Sequence, residues 1–541
     1  MSHVSTARAR RLRRTGAAAV ATSALLGLVG ASPAAAVGAA SLGAPAPSVL
    51  VPAVVAEPDT APGTASIWST TGDGGARLSF GGTVAAYASA SATATDVPTD
   101  VPTDVPTITL GAPAGGQSVT GFGAALTHAS AALLASLPGE QRQAVLRELF
   151  APDGPVRLSV VRIPLGGSDF VVGQPYTYDD TAGNVADWNL KRFRTSPDDL
   201  VLRPVLRQIR SINPEVVVVA SPWSPPAWMK TSLHLNGGRL SQDRRAVGTY
   251  ADYLVRAAQE YRDAGVPLDY LTVQNEPQTR TWGDYPRMEM PVATQTAVIG
   301  ALGVKLRNAG LATRILGFDH NWAEHPGDLA AVPAGGDPEL DYPARLLRSS
   351  AAPWISGTAF HCYYGDASAQ EPLHAEFPTK SVWVTECSGS HAPTDTPERI
   401  FADTVYWQSK NLVIASLRHW ATGVVTWNLA LDASGGPHTG GCGTCTGVVT
   451  VQDGRVTANA EYYVLGQAAR FVPRGSVRVP STATSAALDQ VAFRAPDGST
   501  TVLVHHGGWP ATTVRVQAGG RAYDVVVPPW SFSTVRIGPA G

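Results

Sequence analysis

The chain has 541 residues, and 44% of them are hydrophobic, which is enough for a large buried core. Lysine and arginine together number 41 against 43 aspartates and glutamates, so the net charge is −2. A protein that binds nucleic acid through its phosphates is normally basic, so nucleic acid is not an expected partner. The composition also excludes collagen, a coiled coil and a protein with many membrane spans.

Residues 1–36 have the pattern of a secretory signal peptide. A basic segment at 8–14 precedes an apolar run at 16–29, and three alanines follow at 34–36. The apolar run is short for a membrane span, so an anchor is the less favoured alternative. We therefore expect a secreted, extracellular protein without stable membrane insertion. Both Sec and twin-arginine export remain open.

The next segments differ in composition from the rest of the chain. Residues 37–63 are rich in alanine and proline and are expected to form a linker. Residues 64–115 are expected to supply N-terminal strands, interrupted near 84–107 by a low-complexity insertion. There Asp-Val-Pro-Thr occurs three times, beginning at Asp96. Proline at every fourth position blocks helix and sheet ladders, so this insertion is expected to be mobile.

Residues 116–447 alternate between short apolar runs and longer amphipathic segments. Continuously apolar strands with helices between them are typical of a parallel sheet covered on both faces. Eight such runs predict the fold class α/β, with a (β/α)8 barrel. The runs are 119–126, 158–165, 216–223, 271–276, 314–320, 357–363, 382–386 and 423–429, and helical segments include 138–150, 204–212, 246–264, 294–309 and 397–417.

Residues 448–541 lack helical periodicity and alternate apolar with polar residues between glycine and proline turns. This pattern predicts a C-terminal antiparallel β-sandwich. The N-terminal strands are expected to join the same sandwich.

Polar or aromatic side chains end nearly every apolar run of the barrel region. In a (β/α)8 barrel the active site lies at the C-terminal ends of the strands. One such residue is usually a cap or a packing residue, but a set from eight runs indicates one pocket. The set includes Arg162, Asp169, Trp223, Asn275, Glu276, His361, Tyr363, Glu386, Trp427 and Asn428.

Two of these residues are glutamates, Glu276 and Glu386. A carboxylate at the end of an apolar strand is costly to bury unless it is paired or used in chemistry. Two carboxylates that face one cleft can hydrolyse a glycosidic bond. The alternative is that each glutamate only forms an ion pair with an arginine such as Arg162.

The residues around these positions resemble glycoside hydrolase family 30, which includes lysosomal glucosylceramidase and β-1,6-glucanases. The resemblance extends from about residue 67 to residue 537, and its ordered series of motifs is far more specific than Asn-Glu-Pro alone. The motifs are Gly-Phe-Gly-Ala-Ala-Leu-Thr from Gly121, Arg-Ile-Pro from Arg162, Ser-Asp-Phe from Ser168, Tyr-Thr-Tyr-Asp-Asp from Tyr176, Ser-Pro-Trp-Ser-Pro-Pro from Ser221, Gln-Asn-Glu-Pro from Gln274, His-Cys-Tyr from His361, Thr-Glu-Cys-Ser from Thr385 and Trp-Asn-Leu-Ala-Leu-Asp from Trp427.

The resemblance implies a barrel fused to a β-sandwich, and hydrolysis with retention of configuration. It implies that Glu276 is the general acid/base and Glu386 the nucleophile. It also implies substrate-binding or supporting roles for a further set of residues. These are Asp169, Trp223, Asn275, Tyr285, His361, Tyr363, Trp427, Asn428 and Arg162.

Retention requires two carboxyl groups about 5–5.5 Å apart. At that distance an ionised Glu386 is expected to raise the pKa of Glu276, which suits an acid. Neighbours on a strand point to opposite faces, yet Asn275 and Glu276 must both face the pocket. A bulge or a turn is therefore expected at this point.

The sequence departs from the lysosomal branch at two positions. His128 replaces an acid and is expected to affect structure more than catalysis. Arg287 replaces an aromatic residue and argues against a lipid aglycone. The leading hypothesis is thus a secreted β-glycosidase that acts on β-linked glucosides, most of all β-1,6-glucan. The alternatives are glucosylceramidase-like or β-xylosidase/β-fucosidase activity, and a catalytically dead carbohydrate-binding barrel.

The chain has four cysteines, and an oxidising compartment favours disulfides over a thiolate zinc site. Cys442–Cys445 is expected to close a loop. Cys362 and Cys387 alternate with inward residues on neighbouring strands, so a second disulfide is predicted there, and two buried free thiols remain the open alternative. His438 is expected to be a solvated loop residue rather than a metal ligand. We predict no bound metal and no cofactor. We also predict that the protein is a monomer.

Overall fold

A computed structural model of the chain describes residues 60–89, 105–112, 116–281 and 283–539. The expected signal peptide, nearly all of the expected linker and most of the Asp-Val-Pro-Thr repeat lie outside these residues. The expected insertion at 84–107 is partly structured, because Ser79–Ala85, Tyr87–Ala88 and Thr107–Leu110 are strands.

Eight parallel strands close into a barrel, and the eighth strand pairs with the first. The eight predicted runs therefore correspond to the eight observed strands. The fourth strand is the exception in length, because only two of its residues form the ladder. In chain order the strands are Gly121–Ala125, Val160–Pro164, Val217–Ser221, Tyr270–Leu271, Arg314–Asn321, Ile355–His361, Ser381–Glu386 and Ala421–Thr426.

The lower part of the barrel interior is filled by apolar side chains. Trp383 is fully buried there and packs against Tyr270 with ring centroids 4.8 Å apart. Gly423 on the next strand leaves room for that indole, because a Cβ at this position would clash with it. Because the interior is filled in this way, the charged side chains lie at the C-terminal ends of the strands. The candidate site is at this end of the barrel.

Helices cover the outside of the barrel, and the five predicted helical segments are all present. The last of them, Pro397–Trp407, continues as a π-helix over Gln408–Ala415 and ends with Ser416–Arg418. The other helices are His128–Ser136, Gly139–Phe150, Ser196–Leu200, Leu202–Ile212, Ala246–Asp263, Val292–Asn308, Pro326–Ala330, Tyr342–Arg348, Gln370–Glu376 and Ala460–Ala469, with short 3-10 turns at Ala182–Asn184, Ala227–Met229, Ala352–Trp354 and Ala367–Ala369.

The β-sandwich combines strands from both ends of the chain, as predicted. Its six-stranded sheet has the order Val477–Val479, Leu488–Arg494, Thr500–His506, Ser531–Ile537, Thr64–Thr71 and Ser79–Ala85. Its five-stranded sheet has the order Ser481–Ala483, Thr107–Leu110, Thr512–Ala518, Arg521–Val527 and Tyr87–Ala88. One pair, Thr107–Leu110 with Thr512–Ala518, is parallel, so the sandwich is not purely antiparallel.

The expectation of strands alone after residue 448 is wrong, because Ala460–Ala469 is a helix. All ten of its residues are buried, and a helix that is buried on every side has no polar face to produce helical periodicity. Before it, Val449–Gln452 and Arg455–Ala458 form a hairpin that pairs with Ala430–Leu431 of the barrel region. The C-terminal strands of the sandwich therefore begin at Val477.

Within the described residues, no helix is long and apolar enough to cross a membrane.

Candidate active site

The two glutamates reach the barrel mouth in different ways. Glu386 is the last residue of the seventh strand. Glu276 lies beyond the short fourth strand and has left-handed backbone, with φ at 51°. Its amide donates to the carbonyl oxygen of Asp319 at 2.9 Å. The expected break in strand geometry is therefore located at Glu276 itself, and it lets Asn275 and Glu276 face the same cavity.

A carboxylate oxygen of Glu276 and one of Glu386 lie within 4.8 Å of each other. Retaining glycosidases place their carboxyl groups about 5–5.5 Å apart, whereas inverting enzymes need about 6.5–9.5 Å. The pair therefore leaves too little space for a water molecule between nucleophile and sugar. Its spacing suits direct attack by one carboxylate.

Glu386 is held by two donors. Nη1 of Arg162 contacts Oε2, and the Tyr363 hydroxyl donates to Oε1 at 2.9 Å. The side chain is only 7% exposed. Burial and the charge of Glu276 raise the pKa of Glu386, while His361, Arg162 and Tyr363 oppose that rise. Both oxygens therefore have partners that stabilise the anion.

Arg162 links Glu386 to the rest of the site. Its Nη2 donates to Asn275 Oδ1 at 2.8 Å and to Asp319 Oδ2 at 3.0 Å. Its guanidinium also faces the rings of Trp223 and Trp427, with its Cζ 4.9 and 5.6 Å from their centroids. The alternative that Arg162 merely neutralises a structural glutamate does not account for these contacts, because one guanidinium orders four groups of the site.

Glu276 has fewer contacts. Its Oε1 lies 3.5 Å from His361 Nδ1, and its Oε2 lies 3.5 Å from the Thr279 hydroxyl. Burial opposes its charge, but His361, His320 and Arg287 outweigh burial and lower the pKa of Glu276 to about 2. This direction is opposite to the one expected from Glu386 alone. The reason is His361, whose positive charge the sequence analysis did not consider.

Asp319 organises the centre of the site, and sequence reasoning gave it no role. Its buried carboxylate accepts hydrogen bonds from five side chains, and burial alone would disfavour this charge. Arg162 and His361 hold the pKa of Asp319 far below its usual range. The donors are Arg162 at 3.0 Å, His361 Nε2 at 3.0 Å, Thr385 at 2.6 Å, Thr272 at 2.7 Å and Ser221 at 2.8 Å.

The tryptophans expected to hold the sugar, Trp223 and Trp427, belong to one buried cluster with Phe170. Trp223 and Trp427 stack with ring centroids 5.1 Å apart, and Phe170 packs edge-on against Trp427 at 5.9 Å. Asp169 is buried, and its Oδ1 has no hydrogen-bond partner among the described residues. Burial, Glu386 and Glu276 raise the pKa of Asp169. A sugar hydroxyl could supply the missing donor.

Two further candidates lie at the edge of this group. The ring of Tyr285 is covered by Arg287, with the guanidinium Cζ 3.9 Å from its centroid. Burial and the charge of Glu276 raise the pKa of Tyr285. Asn428 is buried with φ at 59°, and its Oδ1 accepts from the Thr127 hydroxyl at 3.1 Å. That hydrogen bond ties it to the loop after the first strand.

Both expected cysteine pairs are disulfides. Cys362–Cys387 joins the ends of the sixth and seventh strands, with Cα atoms 5.2 Å apart. Cys442–Cys445 closes a loop that covers Asp169. Gly441 of that loop has φ at 69°, and any Cβ there would clash with the Asp169 carboxylate.

Two further histidines lie near this region, of which His128 is buried and His438 is exposed, as expected for a loop residue. His438 hydrogen-bonds through Nδ1 to the carbonyl oxygen of Gly440 at 3.0 Å, within the loop of the second disulfide. His128 accepts from the amide of Val172 at 3.3 Å. Both contacts are structural ones.

A metal could in principle use Glu276, His361 and Glu386, whose ligand atoms lie within 4.8 Å of one another. However, both oxygens of Glu386 already have donors, and one of these is the cation Arg162. A guanidinium in contact with a carboxylate competes with a divalent ion for the same charge. The donor set thus suits acid–base and nucleophilic chemistry.

An eight-stranded parallel barrel with two carboxylates at its mouth and a β-sandwich beside it defines a glycoside hydrolase that acts on carbohydrate. The family profile described as the glycosyl hydrolase family 30 TIM-barrel domain matches residues 119–450. The profile of the family 30 β-sandwich domain matches residues 475–535. This chain belongs to glycoside hydrolase family 30.

Several relatives have names that describe an activity. An endo-1,6-β-D-glucanase of Trichoderma harzianum is 31% identical over 72% of this chain and 78% of its own length. One of Aspergillus fumigatus is 30% identical over 74% and 82%. The lysosomal acid glucosylceramidase of Mus musculus is 29% identical over 72% and 75%. The solved structure of the endo-β1,6-glucanase BT3312 superposes with a TM-score of 0.75 at 27% identity, covering 88% of this chain and all of that one.

Proposed function

We propose that this protein hydrolyses β-linked glucosides with retention of configuration, and that its substrate is β-1,6-glucan. The observation that carries the mechanism is the pair of carboxylates, Glu276 and Glu386, within 4.8 Å at the mouth of the barrel. That spacing allows a covalent glycosyl–enzyme ester and a second carboxyl group for proton transfer.

In the first step a Glu386 oxygen attacks the anomeric carbon, and the bond to the leaving oxygen breaks. Glu276 donates its proton to that oxygen, so the leaving group departs as an alcohol. In the second step Glu276 takes a proton from water, and the hydroxide attacks the same carbon. Glu386 then leaves as a carboxylate, and Glu276 is protonated again.

The other residues support these steps. Arg162 and Tyr363 hold Glu386 as an anion in a fixed orientation, which a nucleophile needs before attack. Arg162 also fixes the amide oxygen of Asn275, so its amide nitrogen is available for the hydroxyl next to the reacting carbon. Asp169 supplies an acceptor for outer hydroxyls, and Trp427 a flat apolar face under the ring.

The proposed substrate rests on the relatives and on one residue. The fungal relatives and the superposed structure are named as endo-1,6-β-glucanases, so we propose internal cleavage of a β-1,6-linked chain. The guanidinium of Arg287 lies over the ring of Tyr285. We propose that the leaving group lies on this side of the site. A charged, hydrated group there suits a sugar better than the hydrocarbon chains of a glycolipid. Glucosylceramidase activity is the second candidate, supported by the likeness to the mouse enzyme.

The experiment is to incubate the purified protein with pustulan, with glucosylceramide in detergent, and with aryl β-glucoside, β-xyloside and β-fucoside. We expect pustulan to yield a series of β-1,6-linked oligosaccharides, with glucosylceramide left intact. Glucosylceramide cleavage without action on pustulan would overturn the substrate assignment. Products analysed by NMR immediately after release should have the β configuration, and an initial α product would overturn the mechanism.

We further propose that the protein is secreted and acts as a monomer. The signal-like pattern of residues 1–36 and the two disulfides support secretion. The candidate residues all belong to one barrel, which supports a site that a single copy completes. Intact mass and N-terminal sequencing of secreted protein should show a chain that begins near Val37.

A further inference from the structure

His361 lies between two carboxylates in an arrangement that its expected sugar-binding role does not explain. The residue is fully buried at the end of the sixth strand. Its Nε2 is 3.0 Å from Asp319 Oδ1, and its Nδ1 is 3.5 Å from Glu276 Oε1. Asp319 is saturated by five donors and cannot turn away. The imidazole is thus held with its second nitrogen aimed at Glu276.

Nδ1 of His361 has no hydrogen-bond partner among the described residues. A buried ring nitrogen without a partner is costly, and a gap of 3.5 Å to a carboxylate closes with a small movement of that side chain. Glu276 is able to make such a movement, because its carboxylate has only long contacts. An unpartnered nitrogen next to a loosely held acid is suited to proton transfer.

We propose that His361, aligned by Asp319, holds in the unliganded site the proton that Glu276 later donates to the glycosidic oxygen. The inference rests on the proposed acid/base role of Glu276. His361 acts through Glu276 and is therefore a positioning and proton-holding residue.

The proton balance of the cycle closes. As sugar binds, the Nδ1–H bond of His361 breaks and an O–H bond forms on Glu276 Oε1, which turns an ion pair into two neutral groups. Glu276 passes that proton to the leaving oxygen, and the attacking water restores it in the second step. When product leaves, the proton returns to His361. Nε2–H stays bonded to Asp319 throughout, so Asp319 selects the tautomer that frees Nδ1.

Bound sugar favours this transfer because it removes water from the cavity. Without water, two neutral groups are favoured over a pair of separated charges. The same physics explains why the acid can be ionised in the free site and still act as an acid once substrate covers it.

The surrounding charges agree with a proton on His361. Burial opposes the imidazolium, but Glu386, Asp319 and Glu276 outweigh it and raise the pKa of His361 to about 9. The other charged or titratable groups that face the pair are Arg162, His320, Arg287, Asp169, Tyr285 and Tyr363.

His505 provides a matched control outside the site. It is a buried histidine of the β-sandwich, on the strand Thr500–His506. Burial lowers the pKa of His505 to about 4. It is therefore neutral in the working range and has no proton to hold.

The test compares kcat/KM against pH for the wild type, H361N and the control H505N. One substrate is a β-1,6-linked glucose trisaccharide, whose leaving group needs a proton. The other is 2,4-dinitrophenyl β-glucoside, whose leaving group needs none. We expect the wild type to keep activity on the trisaccharide up to about pH 9. In H361N the alkaline limb should move down by at least ~2 pH units, with a loss above ~100-fold at pH 8.

On the dinitrophenyl glucoside, H361N should lose less than ~10-fold, because that first step needs no general acid. H505N should leave the alkaline limb in place for both substrates. Equal losses on the two substrates in H361N, or an unmoved alkaline limb, would show a merely structural role and overturn the proposal.

A second measurement does not depend on turnover. In wild-type protein with ¹³C-labelled histidine, the His361 imidazole should remain protonated from pH 6 to about pH 9. The variant E276Q should lower that midpoint. An imidazole that is neutral at pH 7 in the wild type would overturn the proposal. If the protein cleaves no glycoside at all, the proposed function fails, whereas this titration still locates the proton.

Discussion

The two glutamates of the proposed catalytic pair, Glu386 and Glu276, differ in how firmly their side chains are held. Glu386 ends a six-residue strand and has a partner on each oxygen. The next residue, Cys387, is bonded to Cys362 on the neighbouring strand. Glu276 lies past a two-residue strand, in left-handed backbone, and the hydrogen-bond and ion-pair contacts of its carboxylate are no shorter than 3.5 Å.

The difference matches the two tasks. A nucleophile gains from a fixed position, because attack requires one distance and one angle. A group that first gives and then takes a proton has to serve a leaving oxygen and a water molecule that do not occupy the same point. The structure thus concentrates hydrogen bonds on one glutamate and leaves the other free to move.

The most severe way to break the comparison is to remove the proposed nucleophile, Glu386. E386Q keeps the shape but cannot form the ester, so turnover should fall by ~10⁴-fold or more on every substrate. Steady-state rates on pustulan and on an aryl glucoside measure this. The control is E371Q, a change of an exposed glutamate paired with His419. Near-normal activity in E386Q would contradict the assignment of the nucleophile.

Removing the carboxylate of Glu276 should impair substrates that need a proton on the leaving group more than substrates that do not. E276Q should reduce cleavage of β-1,6 linkages by ~10²–10⁴-fold, while the first step on 2,4-dinitrophenyl β-glucoside proceeds. The second step lacks its base, so azide should accelerate it and yield a glucosyl azide. That azide should have the β configuration, and NMR of the product decides the matter. An α-azide would contradict retention.

The contacts that hold Glu386 can be weakened by removing one atom, the hydroxyl oxygen of Tyr363. Y363F removes the hydrogen bond of 2.9 Å to Glu386, and bonds to charged groups contribute ~1.5–3 kcal/mol. We expect kcat to fall by ~10-fold or more. Tyr363 lowers the pKa of Glu386, so without it the acidic limb of the pH profile should move to higher pH. The control is Y364F at the neighbouring exposed tyrosine, and an unmoved acidic limb in Y363F would contradict this role.

The two disulfides should differ in the stability they contribute. The Cys362–Cys387 link has a sequence separation of 25, and the Cys442–Cys445 link a separation of 3. On loop-entropy grounds the double variant C362A/C387A should lower the free energy of unfolding by ~3 kcal/mol, and C442A/C445A by ~1–2 kcal/mol. Urea unfolding measures both. The reverse ranking would show that the loop over Asp169 contributes more than chain entropy.

Much of the architecture could be predicted because continuous apolar runs have few interpretations. Eight runs with helices between them led to the observed barrel, and alternation near both ends of the chain led to the shared sandwich. Alternation along two strands also placed Cys362 beside Cys387, which the structure joins. The helix Ala460–Ala469 was missed because its complete burial removes the amphipathic pattern.

The candidate site was only partly accessible from sequence. Runs that end in Glu276 and Glu386 could be read directly, but the roles of Asp319 and His361 depend on distances across the barrel. Asp319 looks like any acidic residue at a strand end until five donors are seen to converge on it. The predicted direction of the pKa shift of Glu276 was wrong for the same reason, because His361 on another strand lowers this pKa.

The strand Thr64–Thr71 pairs with Ser531–Ile537 from the far end of the chain. A ribosome synthesises the first of these strands long before the second. The N-terminal strands Thr64–Thr71 and Ser79–Ala85 therefore lack this neighbour until the whole barrel has been synthesised. Domains generally fold as units in order of synthesis, and long-range pairing is slow. Because Ser531–Ile537 follows the barrel in the chain, the sandwich can be completed only after the barrel has been synthesised, and a truncated chain that lacks residues 531–537 leaves an unpaired edge on which aggregation can begin.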